Sequence, residues 1–251
     1  MQEFSARETI VFAHRLWSKR FKSEFVPQLN LLVEALEARL LPTLKDTDIS
    51  HEAEGVKDET WQNLMSMPAR DDIEMSDLAE IAEEAGVSHY MMLSRIRQGL
   101  INMFTAGLYH TFEQQLLLFH RKEVLEPAEE NEPSLFKVTI FKERLASRNI
   151  DVEKFRCWSK VDELRLAANT VKHAEGESAM KLRTVRPDLF IDPMWKNSEF
   201  TLLREPTTNV FLPLLGEDIF ITMNDLHMYR DAVVDFWADL SNAIKISTGS
   251  S

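Results

Sequence analysis

The sequence predicts a mainly α-helical fold with one small β-hairpin near residues 210–222. Apolar residues recur at spacings of three and four over long stretches, which is typical of amphipathic helices. Only seven of the 251 residues are glycine, which is few for a chain built from strands and tight turns. Two short apolar runs separated by turn residues, in VFLPLLGEDIFIT, indicate the hairpin.

A long first helix is predicted over residues 5–40. Pro27 should kink or split it near Phe25, since a proline inside a helix removes a hydrogen bond. The residues that recur at helical spacing are Ile10, His14, Trp17, Phe21, Leu29, Leu32, Leu36 and Leu40. Residues 42–72 are polar and contain prolines, which predicts a loop with one helical turn around Trp61.

An acidic helix is predicted over residues 76–86, ending at Gly86. Ser88 should cap a second helix that continues to about Glu123. This second helix carries a long apolar stripe, which is typical of the centre of a bundle. The stripe consists of Ile101, Phe104, Leu108, Phe112, Leu116 and Phe119.

The second half of the chain predicts further helices between irregular segments. A linker over 126–133 precedes a helix from Ser134 to about Arg148. The next helix spans about 155–174, with Gly176 placed to cap its C-terminus.

Residues 186–209 contain three prolines and are predicted to be irregular. In the hairpin that follows, Pro213 restricts the first strand to an edge. The last helix spans about 224–246. Nothing separates two cores, so a single domain is expected over residues 1–251.

The composition narrows the classes of function. Hydrophobic residues make up 44% of the chain and charged residues 28%, as expected of a globular protein. The net charge is −12, so nucleic acid should bind weakly unless the basic groups are concentrated in one place. A single cysteine, Cys157, excludes an internal disulfide and fits a reducing cytoplasm. No signal peptide or membrane-spanning segment is predicted.

The densest group of functional side chains lies in ELRLAANTVKHAEGES, residues 163–178. At about 100° per residue, one side of this helix is an apolar stripe formed by Val161, Leu164, Ala168 and Val171. The polar residues share the adjacent flank, where a groove between neighbouring helices would lie. These residues are Asp162, Arg165, Asn169, Lys172 and His173.

The polar flank offers a definite chemistry. The imidazole of His173 can transfer a proton near neutral pH, and the cations of Arg165 or Lys172 can stabilise charge on a phosphate. The sequence has no metal-ligand spacing such as HExxH or CxxC, so neither a metal nor another cofactor is expected. The most specific reaction that these residues could support is metal-independent cleavage of RNA, in which the 2′-hydroxyl is the nucleophile. The alternative is a solvated helix face whose terminal histidine interacts with the last carbonyls.

The segment IDVEKFRCWSKVDELRLAANTVKHAEG resembles the conserved region of HEPN-domain proteins, an all-α group rich in prokaryotic toxins and phage-defence ribonucleases. LYHTFEQQLLLFHR resembles the other central helix of that family. The resemblance implies a helical bundle with its core at about 90–180. The helices of 5–86 and the C-terminal hairpin and helix of 210–246 would pack on this core. It also implies a homodimer with a composite site that acts on RNA, with tRNA as one candidate substrate.

Asn169 and His173 match the family pattern, but Ala168 stands where the family has its arginine. The resemblance therefore implies that Arg165 or Lys172 supplies the positive charge, while Glu113 on the central helix is a supporting polar group. A second hypothesis is a non-catalytic interaction or antitoxin-type module, with a protein partner encoded in the same operon. Both belong to a bacterial stress or phage-defence setting.

A third hypothesis concerns residues 76–99, which resemble a helix-turn-helix with its turn at Gly86. Arg95 and Arg97 could reach DNA phosphates. The neighbouring carboxylates would repel phosphate, and the second helix is longer than a recognition helix. A plain corner between two helices explains the same residues.

Overall fold

A computed structural model describes residues 15–68, 74–193 and 208–249. Helices dominate these residues, which confirms the mainly α fold, and the same ranges contain no β-strand. The helices are α1 (15–44), α2 (Asp46–Met65), α3 (Met75–Phe119), α4 (Val138–Ala146), α5 (Trp158–His173), α6 (Glu177–Val185) and α7 (Met223–Gly249). The predicted helical residues 5–14 and the irregular stretch 194–207 lie outside the described residues.

Helix α1 contains two π-helical turns, Phe21–Phe25 and Leu36–Leu40, and finishes in a 3-10 turn. The first π turn ends two residues before Pro27 and is closed by the Val26 amide, which donates to the Phe21 carbonyl. The disruption expected near Phe25 is therefore a local widening of the helix, and the helix is not split.

The loop predicted over residues 42–72 was wrong for Asp46–Met65, which form the 20-residue helix α2, and its residues 69–72 lie outside the described residues. The apolar stripe of α2 is narrow: Ile49 and Ala53 are its buried residues, Val56, Trp61 and Leu64 are half-buried, and most of the remaining surface is polar. A helix can be held by so small a stripe when the facing helix has small residues. Here α2 packs against the N-terminal half of α3.

The predicted helix break at Gly86 was also wrong, since α3 runs through it as a continuous helix of 45 residues. A Cβ at Gly86 would lie 3.0 Å from the Ala53 carbonyl oxygen and from the Lys57 Cβ. This glycine permits close packing of α2 and does not cap a helix end. The segment 76–99 therefore has no turn between two helices, and the helix-turn-helix hypothesis fails.

The elements around α5 differ in detail from the prediction. Ser134 lies in a 3-10 turn, Pro133–Leu135, and α4 begins at Val138. Helix α5 ends before Ala174, which has a φ of 60°. Gly176 is extended, and it precedes the additional helix α6 without capping α5.

The predicted hairpin at 210–222 was wrong. Its centre is a 3-10 turn, Pro213–Leu215, followed by Gly216 with a φ of 77°. The Asn102 amide of α3 donates to the carbonyls of Pro213 and Ile219 at 2.7 and 3.0 Å. Side chains therefore satisfy backbone groups that strand pairing would otherwise have used.

A continuous apolar core joins residues from α1 to α7, and α5 contacts α3, α6 and α7. The α7 helix, predicted over 224–246, contributes a cluster of aromatic rings to this core. The centroid of the Trp237 ring lies 4.6–5.7 Å from those of Phe21, Phe25, Phe112 and Phe236, and the last three contacts are edge-to-face. In the ranges described, no helix combines the length and apolar character needed to cross a membrane.

Candidate functional site

Helix α5 is buried over most of its circumference. From Val161 onwards its buried positions are Val161, Leu164, Leu166, Ala167, Ala168, Thr170 and Val171. At about 100° per residue these span about 220°, or roughly three fifths, of the helix circumference. The side left open carries the five polar residues predicted to share a flank, Asp162, Arg165, Asn169, Lys172 and His173, which we call the polar strip.

Arg165 is bound within its own helix. Its Nε donates to Asp162 Oδ1 at 2.7 Å, one turn towards the N-terminus. His173 lies eight residues in the other direction, about 12 Å along the axis by helical rise. The structure therefore does not bring the Arg165 guanidinium and the His173 imidazole together.

Glu113 belongs to a cluster on α3 that faces the Arg165 end of the polar strip. Its carboxylate accepts from the Tyr109 hydroxyl at 3.3 Å and lies 3.4 Å from His110 Nδ1. The pKa of Tyr109 is raised, first by burial and then by the Glu113 carboxylate. The charges of Arg165 and Asp162 also act on the Tyr109 hydroxyl, so Glu113 lies near this end of the strip.

The C-terminal end of the polar strip is more open. Lys172 and His173 are exposed and Asn169 is half-buried. Within the part of the chain that the structure describes, these three side chains have no hydrogen-bond or ion-pair partner. They are thus available to an external ligand.

The backbone that follows His173 is held in place. The Glu175 amide donates to the Val210 carbonyl at 2.9 Å, and the Val210 amide donates back to the Glu175 carboxylate at 2.9 Å. Arg183 binds the same carboxylate at 2.9 Å. His173 therefore sits at a helix end whose following turn is anchored to two other segments.

Ala168 is completely buried. The family pattern has an arginine at this position, but in this chain the position belongs to the core. The cations of the polar strip are Arg165, which is bound to Asp162, and Lys172, which is exposed beside His173.

An ionic network on the opposite side of α5 was missed by sequence reasoning. Arg186 donates to Glu163 Oε1 at 2.5 Å and to Asp225 Oδ1 at 2.7 Å, and it also binds Asp188. The Tyr229 hydroxyl donates to Glu163 at 2.9 Å. The bonds from Arg186 to Glu163 and Asp225 span 23 and 39 residues, so no local spacing could have revealed them.

Network members satisfy one another, so we assign the network a structural role. Arg186 is 17% exposed and Asp225 only 5%, and together they hold the start of α7 against α5. Hydrogen bonds to Asp188 are the first cause of the raised pKa of Arg186, although burial opposes them.

Cys157 immediately precedes α5 and is buried, with Sγ 3.9 Å from Asp239 Oδ2. Burial raises the pKa of its thiol to about 12, and the Asp239 carboxylate acts in the same direction. The thiol is therefore not a nucleophile at neutral pH. Among the residues described, no group of three or more His, Cys, Asp or Glu side chains could hold a metal ion.

Comparisons with known proteins do not assign this chain to a family. A scan against protein-family models, a search of curated proteins and a search of solved structures each return no significant match.

Proposed function

We propose that the polar strip of α5 binds RNA and cleaves it without a metal ion. The observation that carries the proposal is the open end of an otherwise buried helix. There Asn169, Lys172 and His173 lie side by side without partners in the described residues. Nucleic acid binding by a chain of net charge −12 requires such a local group of donors and cations.

Each of the three side chains has a role in this reaction. His173 takes the proton from the ribose 2′-hydroxyl, or gives one to the departing 5′-oxygen. The Lys172 ammonium stabilises the negative charge that develops on the phosphate. Asn169 orients the phosphate or the imidazole. The 2′-oxygen bonds to phosphorus as the 5′-oxygen leaves, which gives a 2′,3′-cyclic phosphate.

A homodimer would complete the site. The reaction needs one acid and one base, and a single strip provides one imidazole. Two copies with their α5 helices facing each other would supply both, in agreement with the HEPN resemblance. That resemblance also favours tRNA as a substrate and a role in bacterial stress or phage defence.

The test is an RNA cleavage assay with purified protein, total tRNA and chelator. We expect wild-type protein to produce 2′,3′-cyclic ends, and His173→Ala to lose about 100-fold or more of the rate. His51→Ala is the matched control, because His51 is also an exposed histidine but lies on α2. Equal cleavage by wild type and His173→Ala would contradict the proposal, as would cleavage of a 2′-deoxy substrate.

Two observations favour a second candidate, a non-catalytic interaction module. Ala168 is buried at the family's arginine position, and Arg165 is bound to Asp162. In this case wild-type protein leaves tRNA intact at every enzyme concentration, and a protein partner from the same operon forms a stable complex with it. The same gel separates the two candidates.

A further inference from the structure

The negative charge of the protein is concentrated in one segment. Residues 46–90 contain 13 acidic and two basic residues. The rest of the chain has 28 acidic and 27 basic residues and is nearly neutral. Almost all of the net charge of −12 therefore belongs to α2, the first part of α3 and the segment that connects them in the sequence.

These two helices form an antiparallel pair that we call the acidic hairpin, residues 46–65 and 75–90. Gly86 brings the helices close, and Lys57 binds Glu83 across them at 2.7 Å. Glu80 and Glu84 lie on the side of α3 away from α2. Both are exposed, and in the described ranges neither is ion-paired.

An apolar groove begins where the acidic hairpin joins the bundle. It has a volume of about 750 Å³ and lies between α3 and the turn at 213–215. Its wall on α3 includes three methionines and two β-branched residues, and the turn adds two leucines. The exposed apolar side chains of this groove are Val87, Met92, Ile96, Met103, Leu214 and Leu215.

The leucines of the turn are exposed although their backbone is fixed. A Cβ at Gly99 would collide with the Leu214 carbonyl oxygen, so the turn rests directly on the α3 backbone. Asn102 binds the Pro213 carbonyl at 2.7 Å, and Arg95 binds Glu217 at 3.0 Å. Leu214 and Leu215 are nevertheless 54% and 60% exposed. The groove is therefore preformed, which lowers the entropy cost of binding.

We propose that the apolar groove docks an amphipathic helix of a partner protein, with apolar anchors in the groove and Lys or Arg residues facing the acidic hairpin. Methionine-rich grooves accommodate helical anchors because the thioether side chains adapt their shape. Charge decides the type of partner. Glu80 and Glu84 stand one to two turns from Val87 on the same side of α3, so basic flanks are attracted there.

The negative charge of the acidic hairpin argues against two other occupants of the groove. A second copy of this chain would bring its own acidic hairpin close to the first, at a cost in repulsion. RNA would be repelled by the carboxylates and would find no exposed cation pair in the groove, because Arg95 is bound to Glu217. None of the residues that line the groove belongs to the polar strip, so the docking proposal does not depend on RNA cleavage.

The test uses fluorescein-labelled 18-residue helical peptides and the full-length protein. The probe has leucines on one face and lysines on its flanks, and a second peptide replaces the lysines with glutamates. We expect the lysine peptide to bind at least about tenfold more tightly, with an affinity that falls as salt increases. A third peptide with the lysine probe's composition in scrambled order measures non-specific attraction and should bind at least about tenfold more weakly.

Variants locate the binding site. We expect Leu214→Ser with Leu215→Ser to weaken the lysine peptide about tenfold or more, since interface anchors carry most of the binding energy. Leu31→Ser is the control, because Leu31 is 58% exposed on α1, outside the groove. Glu80→Gln with Glu84→Gln should weaken binding and reduce its salt dependence, whereas Glu143→Gln, an exposed change on α4, should do neither.

Each of three results would overturn the proposal. The first is equal affinity for the lysine peptide and either the glutamate or the scrambled peptide. The second is unchanged binding by the double leucine variant with a wild-type circular dichroism spectrum. The third is a wild-type dimer that the same leucine variant converts to monomer in sedimentation, which would make the groove a self-interface.

Discussion

Glu123 is a residue whose protonation should change the stability of the protein. Glu123 lies in the π-helical turn His120–Val124 that follows α3, and the Trp17 indole Nε1 donates to its Oε2 at 2.8 Å. Burial is the main cause of its raised pKa, which the Trp17 bond and Arg148 only partly oppose. The folded state therefore binds a proton at a higher pH than the unfolded state. Stability from this group is present below the ordinary carboxyl pKa and is lost as pH rises through the folded pKa.

Replacing Glu123 with glutamine should increase stability at pH 7 by about 1 kcal/mol or less, since the buried charge disappears while an oxygen remains for Trp17. The difference from wild type should vanish near pH 4. Thermal unfolding at pH 7 and pH 4 measures this difference in stability, and Glu143→Gln is a control at an exposed position. A variant that is less stable than wild type at pH 7 would show that the carboxylate is net favourable there.

At the scale of single residues, the polar strip could be predicted because each residue of an α-helix is rotated by a fixed angle from the one before. The spacing placed Asn169, Lys172 and His173 on one flank without any knowledge of the fold. Spacing did not show that Arg165 would bind Asp162, since several side-chain conformations fit the same backbone. The Arg186 network could not be predicted, because its members meet only after α7 has packed on α5.

Among the helices and loops, two kinds of sequence feature led to wrong predictions: a glycine inside a helix and a helix with few buried apolar residues. A glycine ends a helix in one context and permits close packing in another, and Gly86 serves the second purpose. Helix α2 was predicted as a loop because its buried stripe is limited to Ile49 and Ala53. In contrast, α7 could be predicted closely, since its apolar stripe is long and faces the aromatic core.

The packing role of Gly86 predicts opposite effects for two glycine substitutions. Gly86→Leu should destabilise the protein by about 1–3 kcal/mol, because its side chain would push α2 away from α3. Gly55→Ala on α2 should stabilise it by about 0.5–1 kcal/mol, since nothing lies within 4 Å of a Cβ there and alanine favours the helix. Urea unfolding measures both. Equal effects of the two substitutions would contradict the close contact at Gly86.

Across the whole molecule, the Arg186 network joins α5, the segment after α6 and the start of α7. We expect Arg186→Ala to cost about 3–5 kcal/mol of unfolding free energy, because it leaves the buried Asp225 carboxylate without its cation, although Glu163 keeps Lys160. Lys181→Ala is the matched control, since Lys181 forms a highly exposed pair with Glu177. This control should leave the melting temperature within experimental error. A similarly small effect for Arg186→Ala would mean that water solvates Glu163 and Asp225.

The mainly α fold of the whole molecule could be predicted from periodicity and from the small number of glycines. Its division into an acidic hairpin and a nearly neutral bundle could not, because that division depends on α2 being a helix that packs along α3. The apolar groove is likewise a tertiary feature: its two sides, at Val87 and at Leu215, are far apart in the sequence. Prediction at this scale fails where distant segments create a surface together.

The burial of Cys157 makes the natural protein a convenient background for site-specific labelling. With its pKa raised to about 12, this single thiol should react with maleimide dyes very slowly at pH 7. A cysteine introduced at the exposed Ser88, beside the groove, would then take up almost all of the dye. Fluorescence from that position could follow peptide docking in real time without removal of the native residue.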